Sequence, residues 1–231
     1  MDRRRNKRAV QIVTIDGPAG AGKSTVSKML ARKLDFLYLD TGAMYRAVAL
    51  QAKRERVDPN DDEALEKLCR RFEISFREDR EGQRVICQGE DVTERIRDPE
   101  IGWMASTVST KRPVREAMVR AQRKIGSRGR IVAEGRDTGT VVFPRAQYKF
   151  FLDADPEERA RRRYRELATR GLATNLEETK REVTERDEQD STRQLAPLRP
   201  AENARIIDST GLTPEEVVDR MMEIIKEDLH L

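Results

Sequence analysis

The nine residues Gly17-Pro18-Ala19-Gly20-Ala21-Gly22-Lys23-Ser24-Thr25 leave few choices for the chain around them. They follow the apolar run VQIVTID and precede VSKMLARKL, in which Val26, Met29, Leu30 and Leu34 recur at helical spacing. The stretch matches GxxxxGK[ST] in the setting that motif needs, with a strand before it and a helix after it. Glycines let a turn aim successive amides inward, and the positive end of the following helix adds to them, so the stretch is suited to holding phosphate oxygens. On that reading Gly17 to Thr25 bind a nucleoside triphosphate. Lys23 reaches its β and γ phosphates, and Ser24 offers a hydroxyl to Mg2+.

Beyond the turn, strand-like and helix-like segments alternate, the pattern of an α/β fold with a mainly parallel sheet and helices on both faces. Strands are expected at 10–15, 36–39, 130–133, 148–152 and 205–207, and helices at 44–54 and from Pro113 onward. Asp155, Asn175 and Thr213 each stand three residues before a glutamate, the arrangement of a helix cap in which the glutamate reaches back. Residues 73–93 break the rhythm with alternating Ile74/Phe76 and Val85/Cys87 around Gly82. That is the signature of a small antiparallel meander, inserted at the periphery.

Composition removes several function classes. The 231 residues suit one domain with an insertion. Charged residues make up 38%, yet 46 Lys+Arg nearly balance 42 Asp+Glu, and a net charge of only +4 argues against a dedicated nucleic-acid binder. A small polyanion needs only a local cluster of arginines. Nucleic-acid binding is the rival class, resting only on the basic tail at residues 1–8, which reads more simply as a solvated arm. Cys69 and Cys87 show neither disulfide nor zinc spacing, and the reducing cytoplasm is the expected compartment. Neither a membrane span nor a signal peptide is expected. The only histidine, His230, is next to the C-terminus, so histidine acid/base or metal chemistry is not expected. A GTPase would need an Asn-Lys-x-Asp loop, which this sequence lacks; Asp208 to Gly211 match DxxG by chance.

Three blocks carry a resemblance: Leu39-Asp40-Thr41-Gly42-Ala43-Met44-Tyr45-Arg46, Glu134-Gly135-Arg136-Asp137-Thr138-Gly139-Thr140-Val141-Val142-Phe143-Pro144, and Glu185-Arg186-Asp187-Glu188-Gln189-Asp190-Ser191-Thr192-Arg193. With the glycine turn and in this order, they resemble the bacterial cytidylate kinases from about Ile12 to the final helix. The resemblance implies transfer of the γ-phosphoryl group of Mg-ATP to CMP or dCMP. It implies a P-loop kinase core at 9–62 and 99–231, a nucleotide-binding insertion at about 63–98 and a lid at about 157–173. It also implies a monomer with no nucleic-acid or membrane partner. A broader pyrimidine or other nucleoside monophosphate kinase is the alternative, which acceptor profiling separates.

By the same resemblance Thr41, Tyr45, Arg46, Ser106, Arg115, Arg136, Asp137, Arg186, Asp190 and Arg193 contact the acceptor nucleotide. Thr41 stands where some members have serine. Catalysis falls to Lys23, Arg186, Arg193 and, with Arg163 beside it in the lid, Arg162. The chemistry is consistent with these roles. Cytosine presents an amino donor beside two acceptors, which suits the Asp137 carboxylate next to the Arg115 fork, whereas uracil would face Asp137 oxygen to oxygen. Arg46 and Arg136 are forks for the acceptor phosphate. Arg186, Asp190 and Arg193, at i, i+4 and i+7, are expected on one helix face, with Asp190 accepting from the ribose hydroxyls. The nucleophile is a phosphate oxygen, ionised near neutral pH with a second pKa of about 6, so no general base is needed. Asp16 and Glu134 both end apolar strands, and either is placed to hold Mg2+ through water.

Overall fold

The computed structural model describes residues 11–79, 82–172 and 175–229. The basic tail and His230 lie outside the described residues. Five strands, β1 (Ile12–Asp16), β2 (Leu37–Asp40), β6 (Ile131–Gly135), β7 (Tyr148–Asp153) and β8 (Arg205–Asp208), form one sheet in the order β2-β6-β1-β7-β8. β1 pairs in parallel with β6 and β7, and β7 with β8. β1 is central, and the chain leaves it toward one edge and later returns to build the other. Ligands of open α/β sheets collect at the carboxyl end of such a strand.

β1 is buried on both faces, as a central parallel strand should be: Val13 and Ile15 lie in one cluster with Val26 and Leu30 of α1 (Lys23–Leu34) and Val217, Val218 and Met221 of α8 (Pro214–Leu229). Phe150 and Leu152 of β7 complete that core. α6 (Pro156–Thr169) and α7 (Leu176–Thr192) follow β7 and pack against each other. The Asp155 carboxylate accepts from the amides of Glu157 and Glu158, and Asn175 Oδ1 accepts from Glu178. The reciprocal bond expected of the glutamate forms at Thr213, where Glu216 Oε2 accepts from the Thr213 amide at 2.8 Å. Glu158 instead accepts from Arg162.

Contacts divide the chain into two compact units, one of residues up to Leu39 with Ile125 onward, the other Asp40–Lys124. The second holds α2 (Thr41–Arg54), α3 (Asp62–Arg70), α4 (Pro99–Val108) and most of α5 (Arg112–Gly126). The expected meander is there as an antiparallel sheet of β3 (Ile74–Asp79), β4 (Gly82–Cys87) and β5 (Glu90–Asp91). Helices α3 and α4 go beyond the sequence reading. Each is short, capped by an aspartate (Asp61 and Asp98), and buries only two or three side chains. In the sheet unit, removing the fully buried Leu30 side chain leaves a cavity between α1 and its neighbours. Leu30→Ala should cost about 3 kcal/mol of unfolding free energy by urea denaturation, and a loss under about 1 kcal/mol would contradict this core assignment.

Candidate active site

The glycine turn leaves the carboxyl end of β1. A Cβ on Gly17, whose φ is +152°, would lie 2.0 Å from Leu152 O, so the turn can start against β7 only without a side chain. Gly22, in the left-handed region, directs the chain into α1, whose first residue is Lys23. The Lys23 ammonium is buried and donates to Pro18 O at 2.5 Å. Burial, and after it the nearby charge of Arg136, lowers its pKa to about 7, against the opposing pull of Glu134 and Asp190. An anion entering beside Lys23 would restore its full charge.

Ser24 is exposed, and its hydroxyl donates to Glu134 Oε1 at 2.8 Å. The same oxygen accepts from the hydroxyl of Tyr38, at 2.5 Å. Asp16 is engaged elsewhere. Its Oδ1 accepts from the amide and hydroxyl of Thr138, and its Oδ2 from the Gly139 amide at 2.7 Å. Burial raises the Asp16 carboxyl above its usual pKa despite these donors. The bonds fix the start of a single π turn, Thr138–Val142, that follows Asp137.

Arg136 and Asp137 continue from the end of β6. The Arg136 Nε donates to Asp190 Oδ2 at 2.7 Å. Arg193 approaches the other oxygen of Asp190 and also Asp137 Oδ1, each at 3.5 Å. Burial alone would raise the Asp190 carboxyl, but Arg136, Arg186 and Arg193 together hold it below its usual value. Arg193 departs from the expected helix face. α7 stops at Thr192, and Arg193 is its C-cap in extended conformation, with Nε donating to Ala196 O at 2.8 Å. Only Arg186 and Asp190 are helical; the chain turns away, and the arginine side chain folds back to the same carboxylate.

Arg162, on α6, is braced by Glu158, by Ser209 Oγ at 2.9 Å and by Ser209 O at 2.7 Å. Its Nη1 lies 3.7 Å from where a Cβ on Gly22 would be, so it stands beside the glycine turn. Arg163 pairs instead with Glu166.

In the second unit, Thr41 opens α2, and Tyr45 and Arg46 follow one turn on. Asp40 does two jobs there. Its Oδ1 caps the helix by accepting from Ala43, and its Oδ2 pairs with Arg46 Nη2 at 3.3 Å. The Nε of Arg46 is buried without a hydrogen-bond partner. Arg115 is buried on α5, over the Tyr45 ring at 5.7 Å, and donates to Ser109 O at 3.1 Å. Ser106 is half-buried on α4. Asp40 and Tyr38 are supporting residues that the sequence reading did not single out. An aspartate ahead of Thr-Gly-Ala at cap spacing was the available signal for the first; none marked the second.

A glycine turn leading into a helix, a buried lysine and guanidinium groups steadied by carboxylates suit a phosphotransferase, and with this sheet they define a P-loop kinase. A sequence model of the family described as Cytidylate kinase matches residues 13–227. The chain is 54% identical over 218 residues to a cytidylate kinase of Geobacter sp. (strain M21), covering 94% of each protein. It is 49% identical to one of Carboxydothermus hydrogenoformans, covering 92% of this chain and 96% of that protein. A solved structure of an uncharacterized protein from Eubacterium ventriosum shares the fold, with a TM-score of 0.53 at 12% identity, over 95% of this chain and 99% of that one. The chain belongs to the cytidylate kinase family.

Asp190 has a testable electrostatic role. A carboxyl with a depressed folded pKa contributes stability that is complete above its unfolded value of about 4 and is lost as pH falls through the lower folded value. Asp190→Asn should therefore cost about 3 kcal/mol at pH 7, since it removes the carboxylate that Arg136 and Arg193 share, and progressively less as pH falls below about 4. Denaturant titrations of both proteins across that range check this, and a difference constant with pH would contradict it.

Proposed function

We propose that this chain transfers the γ-phosphoryl group of Mg-ATP to CMP and dCMP through the residues described above. Gly17 to Thr25 hold the triphosphate, with Lys23 at its β and γ phosphates. The observation that carries this reading is the charge arrangement at the ends of β1 and β6, where Arg136, Arg186 and Asp190 lie within electrostatic reach of Lys23 and Arg193 pairs with the same Asp190.

Oxygen donors at the turn suit Mg2+. The Ser24 hydroxyl donates its hydrogen bond to Glu134 and so keeps its lone pairs for a metal, whereas both oxygens of Asp16 are taken. Among the described residues no group of three or more His, Cys, Asp or Glu is arranged to hold a metal, so the remaining ligands would be phosphate oxygens and water. Ser24 would hold Mg2+ directly and Glu134 through water, and the bound ion supplies charge to offset that of the transferring group. Everything else is positioning. Arg162, Arg186 and Arg193 neutralise the loose transition state, and α6 with its following segment acts as the lid that excludes water.

For the acceptor, Arg46 and Arg136 take the phosphate; the buried, unpartnered Nε of Arg46 supports an anion there. Thr41 and Tyr45 accompany Arg46. Asp190 accepts from the ribose. Asp137, with Arg115 and Ser106, reads cytosine, its carboxylate oxygens accepting from the N4 amino group beside Arg193. The proposed protein works as a monomer in the cytoplasm, on nucleotides alone. Asp137→Ala should reduce the ratio of kcat/KM for CMP over UMP by about tenfold or more, measured with Mg-ATP in excess. An unchanged ratio would remove Asp137 from base reading.

A further inference from the structure

A carboxylate touches the glycine turn, where a polyanion is to bind. Asp187 Oδ1, on α7, accepts from the amide of Ala19, the third residue of the turn, at 3.0 Å. The other oxygen of Asp187 takes Arg159 of α6. Arg159 Nη1 also donates to Ala19 O at 3.1 Å, and Arg159 Nε donates to Ala154 O at 3.0 Å. Both backbone groups of Ala19 are therefore held by one ion pair. The contact is tight, because a Cβ on Gly20 would lie 2.5 Å from the backbone oxygen of Arg159. Turn and helix meet backbone to backbone.

A lone carboxylate here would repel a triphosphate. Arg159, only 8% exposed, offsets that charge and is itself anchored to the chain. We propose that Asp187 and Arg159 are positioning residues for ATP. Asp187 fixes the Ala19 amide, so that the amides from Gly20 onward keep the aim that phosphate oxygens require, and Arg159 keeps Asp187 from opposing the nucleotide. The pair ties the geometry of the donor site to α6 and α7. This rests on the glycine turn being the ATP site.

Steady-state kinetics with ATP and CMP varied separately test the inference on Asp187→Ala, Asp187→Asn, Arg159→Met and the double variant Arg159→Met/Asp187→Asn. Asp187→Ala should raise KM for ATP about tenfold and leave KM for CMP within about twofold. Asp187→Asn, isosteric and able to accept from one donor, should fall between wild type and Asp187→Ala. Arg159→Met leaves an uncompensated carboxylate facing the triphosphate, so it should raise KM for ATP more than the double variant does.

A merely structural pair would weaken both substrates together and make the double variant at least as impaired as Arg159→Met. Either result overturns the inference, as does a change in KM for ATP below about twofold in Asp187→Ala. Lys23→Ala separates the two levels. Should it retain transfer with its circular dichroism intact, the ATP-site reading itself fails; should it lose transfer while Asp187→Ala is unaffected, only the positioning role fails.

Discussion

Cations that serve polyanions must be held in place without them, and this requirement organises the sheet unit. Burial and the neighbouring charges of Arg136 and Arg186 disfavour the charge of Lys23, as its lowered pKa shows. Carboxylates make the cluster tolerable. Asp190 takes Arg136 and Arg193, Glu134 lies within reach of Lys23, and Asp187 takes Arg159. Each pair offsets the desolvation of its members, and the arginine pairs fix a planar fork in one orientation, which is the preorganisation that phosphoryl transfer draws on.

The backbone supplies the other half of the positive field. The turn's amides are useful only if the turn keeps its shape, and three neighbours enforce it. β7 crowds Gly17 so closely that no side chain fits, α6 does the same at Gly20, and the Asp187–Arg159 pair holds Ala19 by both of its polar groups. Beneath the turn, the core of β1, α1, α8 and β7 fixes where the strand ends. Packing of ordinary aliphatic side chains thus sets the position of the proposed phosphate site.

Much of this was legible in the sequence because it depends on local order. The turn declares itself through glycine spacing between a strand and a helix, and the strands at the sheet centre differ from expectation by only one or two residues, as at β1 (Ile12–Asp16) and β6 (Ile131–Gly135). What local order does not carry is pairing between distant segments. Ala19 and Asp187 are 168 residues apart, and Tyr38 and Glu134 are 96 apart. Nor does spacing say where a helix stops. Arg193 continues the i, i+4, i+7 series of α7, yet the backbone is extended there, and the side chain reaches Asp190 by folding back. Asp16 and Glu134 look alike at strand ends; only the hydrogen-bond partners, Thr138 and Gly139 against Ser24 and Tyr38, tell them apart.

The central claim is that this array of amides and paired guanidinium groups passes phosphorus directly from one nucleotide to another. Incubating the protein with Mg2+, CMP and ATP labelled at its γ phosphate measures that event. The account predicts that the label appears in CDP as ADP forms, in equal amounts. Label recovered as free phosphate, with CMP unchanged, would contradict it.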